Sequence, residues 1–226
     1  MAGTDLVVIG AGPGGYVAAI RAAQLGMKVV IAEKDACGGT CLNYGCIPTK
    51  ALYKNAQVMG YMDHSREFGI EIDGYRLDME QVQARKNKIV KTLTGGVEYL
   101  LKSNKVAIEK GCAKIIKAGL VEVTGKDGTV KRLETKRILI ASGSKSSRLP
   151  IEGMDLEGVI TSKEALDMKT VPEEIVIIGG GVIGIEFAGI YQSFGAKVTV
   201  VEFIEATVAD LQKKIGDGAF VKSITP

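Results

Sequence analysis

Short runs of β-branched residues alternate with longer amphipathic stretches along most of this chain. Leu6-Val7-Val8-Ile9 is apolar throughout, as expected of a strand buried on both faces. Tyr16 to Leu25 predicts an alanine-rich helix closed by Gly26, and Val29-Val30-Ile31-Ala32 a second strand that ends in Glu33. Ile47 to Met62 predicts a helix, with Pro48 tolerated in its first turn. Asp78-Met79-Glu80-Gln81 reads as a capping box that opens a long basic amphipathic helix to about Leu101, its Lys and Arg side chains forming a solvated face. Past Asn104 the period shortens. Val106-Ala107-Ile108, Ala113 to Ile116, Leu120 to Thr124 and Thr129 to Leu133 predict strands, the last two joined by a turn at Gly125-Lys126-Asp127-Gly128. These predict an antiparallel meander inserted before the sheet resumes at Arg137-Ile138-Leu139-Ile140-Ala141. From Ile175 the opening pattern returns: a strand to Ile178, a helix from Ile185 to Phe194, and a strand from Lys197 to Val201 that ends in Glu202.

Each opening strand runs into a glycine-rich turn. The first is Gly10-Ala11-Gly12-Pro13-Gly14-Gly15 and the second Gly179-Gly180-Gly181-Val182-Ile183-Gly184. In a strand–turn–helix of this kind the first glycine permits the tight turn, the second lets the backbone approach a pyrophosphate, and the third packs the helix onto the strand. The helix N-terminus offers N–H groups and a positive dipole end to the phosphates. Glu33 and Glu202 follow their first glycines at the same interval and can accept from ribose hydroxyls. A structural glycine turn is the plainer alternative, but two complete copies in identical register favour dinucleotide binding. The expected fold is therefore α/β. A Rossmann-like domain with an inserted antiparallel β-meander occupies residues 1–149. The first βαβ half of a second Rossmann-like domain occupies residues 150–226, after a connector that begins Pro150-Ile151-Glu152-Gly153. A carboxylate at Glu202 would repel a 2′-phosphate, which favours NAD over NADP at the second site.

Composition narrows the partners. A formal charge of +3 is too small to argue for nucleic acid or a membrane surface, and 5% aromatic residues without tryptophan supply no stacking platform. No apolar run approaches the length of a membrane span. With no signal or transit sequence before the first strand, a cytoplasmic location is the default.

The four cysteines, Cys37, Cys41, Cys46 and Cys112, are too few for a secreted disulfide scaffold. Cys41 and Cys46 lie in Gly38-Gly39-Thr40-Cys41-Leu42-Asn43-Tyr44-Gly45-Cys46-Ile47-Pro48-Thr49-Lys50. Five residues of regular helix rise roughly 7.5 Å, beyond the usual Cα separation of a disulfide. A bridge would need a distorted turn, for which Gly45 supplies the freedom. A disulfide in chemical use is the favoured reading, with a metal pair and incidental thiols as alternatives. The single histidine, His64, sits in a polar segment and reads as a surface residue, and Cys37 and Cys112 read as incidental.

The stretch from Gly38 to Lys50 resembles the signature of the class I pyridine nucleotide–disulfide oxidoreductases. The segment from Val8 to Gly26 is most similar to those members that oxidise dihydrolipoamide. The resemblance runs from about residue 5 to 204. It implies FAD on the first glycine turn and NAD on the second. By position, Gly10, Gly12, Pro13, Gly14 and Gly15 would hold the FAD pyrophosphate, and Glu33 with Lys34 its adenosine ribose. Gly39, Thr40, Cys41 and Lys50 would line the flavin, Ala113 would touch the adenine through its backbone, and Ser142-Gly143-Ser144 would close over the cofactor. Gly179, Gly181, Val182, Ile183, Gly184 and Glu202 would hold NAD. The resemblance makes Cys41 the thiol that exchanges with substrate and Cys46 the thiol facing the flavin. It also makes Lys50 a catalytic lysine and Glu186 its ion-pair partner. Its partner would be the lipoyl-bearing domain of a 2-oxo acid dehydrogenase or related complex.

Such enzymes are homodimers with a C-terminal interface domain that supplies a catalytic histidine across the dimer. After Glu205 neither that domain nor the second half of the NAD domain is read in this sequence. His64 matches no motif that would replace the histidine, Gly216-Asp217 lacks the strand that precedes the family's later FAD-contacting pair, and Ala206 to Pro226 matches nothing. A flavin-binding module completed by another chain is the alternative expectation.

Overall fold

The computed structural model describes residues 3–147, 150–202 and 219–223, the last group by its backbone. Two compact units are present. One comprises Met1–Ile47 with Lys88–Leu156, the other Pro48–Asn87 with Glu157–Pro226. The borders of the two units fall within α3 (Cys46–Asp63) and α4 (Met79–Ser103), so that residues 48–87 group with the second.

In the first unit β1 (Leu6–Ile9) lies between β2 (Val29–Glu33) and β7 (Ile138–Ile140), and β3 (Ala107–Lys110) extends the sheet beyond β2. All three pairings are parallel, with Leu6 opposite Val29 and Val7 opposite Ile138. Successive side chains along a strand point to opposite faces. On one face Leu6, Val8, Val29 and Ile31 pack with Ala19 of α1 (Pro13–Gln24) and with Val97 and Leu101 of α4. On the other, Val7, Val30 and Ala32 meet Val121, Val123 and Leu133. These come from the antiparallel sheet of β4 (Cys112–Lys117), β5 (Leu120–Thr124) and β6 (Val130–Glu134). Burial on both faces explains why β1 and β2 read as unbroken apolar runs.

The meander is smaller than the sequence suggests. The strand expected at Val106-Ala107-Ile108 belongs to the parallel sheet, where Ile108 lies opposite Ile31. Its half-buried Ile108 packs on the α1 side of the sheet, not among the meander's residues.

The second unit repeats the device. β8 (Glu174–Ile178), α6 (Val182–Ser193) and β9 (Lys197–Glu202) form a parallel βαβ unit with Ile175 opposite Val198. The tail, in which the sequence shows no element, adds a third parallel strand, β10 (Ala219–Ser223), beside β9. The order β10-β9-β8 reproduces the order β3-β2-β1 of the first sheet. Residues 203–218, Gly216-Asp217 among them, lie outside the described residues. α6 buries Phe187, Ala188, Ile190 and Tyr191. The rings of Phe187 and Tyr191 stack with centroids 6.2 Å apart, and Phe194 meets Tyr191 edge-on. The Tyr191 hydroxyl donates to the carbonyl of Ala165, and burial pushes its pKa up to about 12, with the Asp167 charge adding to the shift.

One expectation about α4 fails. Its basic residues are not all on a solvated face, because Lys86 is only 2% exposed. Its ammonium donates to the Leu166 carbonyl at 2.8 Å and pairs with the Asp167 carboxylate. Gln83 donates to Leu166 and Met168 carbonyls in the same place. A buried ammonium is tolerated only when its donors are satisfied, and here they bind the segment after α5 (Ser162–Ala165) to α4.

Both glycine turns depend on a third glycine that abuts the first. A Cβ on Gly184 would lie 2.0 Å from the Gly179 carbonyl oxygen, whereas one on Gly189, in the same helix, would meet nothing within 4 Å. Gly184→Ala is expected to destabilise the second unit by about 1–3 kcal/mol or more through overpacking. Gly189→Ala is expected to raise stability by roughly 0.5–1 kcal/mol through helix propensity. Urea unfolding of the two variants, followed by circular dichroism, checks the contrast.

Candidate functional site

The first glycine turn is held at three points. Gly10 N donates to the Ala32 carbonyl at 2.8 Å. Gly15 packs so close that a Cβ there would lie 1.8 Å from the Gly10 oxygen. Ala11 N donates to Glu33 Oε2 at 2.7 Å. The acid that ends β2 thus also fastens the turn. Its other oxygen, Oε1, accepts from Asp35 N at 2.8 Å. A carboxylate offers about four lone-pair sites, so Glu33 keeps capacity for a hydroxyl. α1 starts at Pro13 with Gly12 as N-cap and no side chain capping it, which leaves its dipole end open. Gly14 is exposed, and a Cβ there would meet nothing within 4 Å, so another molecule can approach its backbone.

The cysteine stretch begins on this turn. Gly38, in the left-handed region at φ 96°, donates its N–H to the Ala11 carbonyl at 2.8 Å. A Cβ on Gly39 would lie 2.6 Å from Gly12 Cα, so the two backbones touch. From there α2 (Gly39–Tyr44) carries Thr40, exposed, and Cys41, half-buried. Asn43 Nδ2 donates to the Cys37 and Gly39 carbonyls at 3.1 and 2.9 Å and clamps the start of the helix. Gly45 then interrupts it, and α3 begins afresh at Cys46. A Cβ on Gly45 would lie 2.9 Å from the Thr40 oxygen and 3.3 Å from Cys41 Cα, so only glycine folds the break back onto Cys41.

Cys41 and Cys46 are both thiols in this structure, Cys46 exposed. Cys37 is 3% exposed and packs in the same apolar cluster as Leu42, with Cys41 against it. Burial, reinforced by the Glu98 and Glu33 charges, pushes the Cys37 thiol up to about 11. Cys112 is exposed, and His64 is an exposed residue whose ring lies 3.1 Å from Glu67.

The remaining positions divide. Ala141 and Ser142 pack on the glycine turn: a Cβ on Gly10 would lie 2.2 Å from the Ala141 oxygen and 3.2 Å from Ser142 Cα. Ser142, Gly143 and Ser144 follow as an exposed segment outside regular structure. Ala113 is half-buried in β4 opposite Val123, and Gly111 N just before it donates to the Glu33 carbonyl at 2.9 Å. Lys34 is exposed. Lys50 is an exposed residue of α3, one turn beyond Cys46. The ion pair expected between Lys50 and Glu186 is not formed among the described residues; Glu186 is half-buried on α6 and Lys50 faces solvent.

The second turn is built as the first. Gly179 N donates to the Val201 carbonyl at 2.8 Å and Gly180 N to Glu202 Oε2 at 2.7 Å. Gly181 caps α6, and Val182 and Ile183 at its start are 79% and 60% exposed. Sequence patterns located the acids but not their bonds to the turns. The only hint was the equal spacing of glycine and acid. Among the described residues, no group of three or more His, Cys, Asp or Glu is placed to hold a metal ion.

The pyridine nucleotide-disulphide oxidoreductase family matches residues 4–219. The chain belongs to that family. It is 45% identical over 224 residues to the mitochondrial dihydrolipoyl dehydrogenase of Dictyostelium discoideum, covering 97% of this chain and 45% of that protein. It is 47% identical over 204 residues to the mitochondrial dihydrolipoyl dehydrogenase of Homo sapiens, covering 88% of this chain and 40% of that one. The chain therefore spans less than half the length of these relatives. Among solved structures it is similar to the HOCl-induced flavoprotein disulfide reductase RclA from Escherichia coli, determined as a Cu(II) complex. The TM-score is 0.84 and the identity 28%, over all of this chain and 50% of that one. LpdA from Mycobacterium tuberculosis shares the fold, with a TM-score of 0.85 at 23% identity over 96% of this chain and 51% of that one.

The burial of Cys37 has a measurable result. Its raised pKa means that the folded chain holds the proton more tightly than the unfolded one. That contribution to stability is complete below pH 9.0 and lost as pH rises towards about 11. Stability measured across this range should fall less steeply in Cys37→Ala than in the parent chain. Iodoacetamide at pH 8 should label Cys46 in the folded chain and leave Cys37 untouched, as peptide mass mapping would read.

Proposed function

We propose that this chain is the flavin- and thiol-bearing portion of a disulfide oxidoreductase that oxidises dihydrolipoamide, with FAD on the Gly10–Gly15 turn and NAD on the Gly179–Gly184 turn. The observation that carries the proposal is the contact of Gly39 with Gly12. It starts the helix bearing Cys41 directly on the glycine turn proposed to hold the pyrophosphate. That contact supports a thiol pair working beside the bound flavin.

The residues fit both groups. The open N-terminus of α1, the exposed backbone at Gly14 and the spare lone pairs of Glu33 suit a dinucleotide. The exposed start of α6 and the carboxylate of Glu202 suit a second one with a free 2′-hydroxyl. Pro13, Lys34, Thr40, Ala113 and Ser142-Gly143-Ser144 complete the proposed flavin contacts, and Gly181, Val182 and Ile183 those to NAD. When bound, FAD supplies two-electron exchange between thiols and a nicotinamide.

The chain's own step is thiol–disulfide exchange. In the oxidised chain a substrate thiolate attacks Sγ of Cys41, the Cys41–Cys46 bond breaks, and Cys46 leaves as a thiolate. The second substrate thiol, deprotonated, then attacks the substrate sulfur of that mixed disulfide and frees Cys41. The substrate ends as a cyclic disulfide and the chain as a dithiol, with two electrons transferred. Lys50, with Glu186 as its ion-pair partner, is proposed to tune the flavin end of this transfer.

The partner proposed is the lipoyl-bearing domain of a 2-oxo acid dehydrogenase complex, engaged by a homodimer. The cytoplasmic placement read from the sequence competes with the mitochondrial one carried by the names of the relatives. The second reading, a flavin-binding module that another chain completes, is not favoured by the likeness to dihydrolipoyl dehydrogenases.

Anaerobic titration of the flavin-loaded chain with dihydrolipoamide tests the central claim. The parent chain should take up one electron pair more than Cys41→Ser, and the variant's rate of reduction should fall on the order of 10³-fold or more. Equal uptake and rate would sink the assignment of the pair. Lipoamide turnover with NADH by the 226-residue chain alone would exclude the second reading.

A further inference from the structure

A cavity of about 620 Å³ lies in the second unit, among α3, the segment after it and the start of α4. None of its lining residues belongs to a glycine turn or to the cysteine pair. Its size is that of a small-molecule site. The enclosing segment is fastened at both ends. The Tyr75 hydroxyl donates to the Asp63 carboxylate at the end of α3, and Asp78 Oδ1 accepts from Gln81 N at 3.1 Å to cap α4.

The lining is chemically divided. Met59, Met62, Leu77 and Val82 give it an apolar interior with Val58, 46% exposed, at its rim, and the two methionines can adjust to the shape of a guest. Three cations, Lys54, Arg76 and Arg85, stand against one carboxylate, Asp78, which is already committed to the helix cap. Arg85 Nη1 donates to the Ala51 carbonyl at 2.9 Å and Asn55 Oδ1 at 3.0 Å, and Lys54 Nζ lies 3.4 Å from Gln57 Oε1. These acceptors are neutral. Among the described residues none of the three cations is paired with a carboxylate, and Arg76 makes no hydrogen bond or ion pair at all.

An apolar interior beside uncompensated positive charge is complementary to an amphipathic anion. We infer that this cavity binds a medium-chain aliphatic carboxylate, its alkyl chain along Val58, Met59 and Met62 and its carboxylate among the lining cations Lys54, Arg76 and Arg85. The distance fits: from Lys54 to Met62, α3 rises roughly 12 Å, and an extended octanoate is of comparable length. Arginine offers a planar fork to the carboxylate and lysine a point charge. A cation of the same chain length would meet the same apolar interior with like charge at its mouth.

Isothermal titration calorimetry with sodium octanoate tests this on the whole chain. Saturable binding at one site is expected, with octylammonium at least about 10-fold weaker. Arg76→Glu, a change at an exposed residue without described bonds, should weaken octanoate at least about 10-fold, and Val58→Glu, which sets a like charge beside the alkyl chain, should weaken it as well. Circular dichroism of both variants establishes that they fold; should either fail to, Lys54→Glu replaces it. No saturable heat, equal binding of octylammonium, or octanoate binding unchanged in Arg76→Glu would overturn the inference. The first result would leave the groove to a protein segment, the second to any apolar chain.

Discussion

The contact between two glycines, Gly12 and Gly39, is the constraint on which the rest of the candidate site depends. Gly39 cannot carry a side chain without parting the backbones, because a Cβ there would sit 2.6 Å from Gly12 Cα. The contact is fixed from both sides. Gly38 N holds the Ala11 carbonyl, and Asn43 holds the carbonyls of Cys37 and Gly39. Through it the position of Cys41 is set by the turn at the carboxyl end of β1, a central strand of the parallel sheet, and not by its own short helix. Gly45 continues the logic: by folding back against Thr40 and Cys41 it ends α2 and restarts the chain at Cys46. The cysteines, though separated by a helix break, belong to one backbone knot tied to the first glycine turn.

The two units show how one local solution serves twice. Strand, glycine turn, helix, strand and acid recur with the same bonds at 2.7 and 2.8 Å, and both sheets add their third strand on the same side. Their surroundings differ. In the first unit the meander covers Val7 and Val30, whereas Val176 and Ile178 on β8 are 63% and 52% exposed. The repeat therefore fixes the geometry of a turn and leaves the wider sheet to its own context.

Much of this was legible in the residues because its causes are local. Apolar period, glycine spacing and the terminal acids located both βαβ units, and the Gly38 to Lys50 stretch marked the thiols. What escaped the sequence depends on contacts between distant segments. The strand at Val106-Ala107-Ile108 could not be told from the meander, since Val30, the partner of Ala107, lies far back in the chain. β10 carries no turn motif to announce it and exists as a strand because β9 offers a free edge. Lys86 looks like any surface lysine until the carbonyl of Leu166 is brought to it. The Lys50–Glu186 pairing, implied by resemblance, asks two side chains of separate elements to meet, and no local rule secures that.

Glu33 and Glu202 each hold the N–H of their own turn. A loop that must be ordered by its ligand charges that ordering against affinity, whereas a turn bonded to the acid that ends the neighbouring strand is ordered by the fold itself. A dinucleotide bound there, as proposed, would leave little of the turn to be ordered. On that proposal the acids serve preorganisation as well as recognition, and replacing one would loosen the turn, even for a ligand with no ribose to recognise.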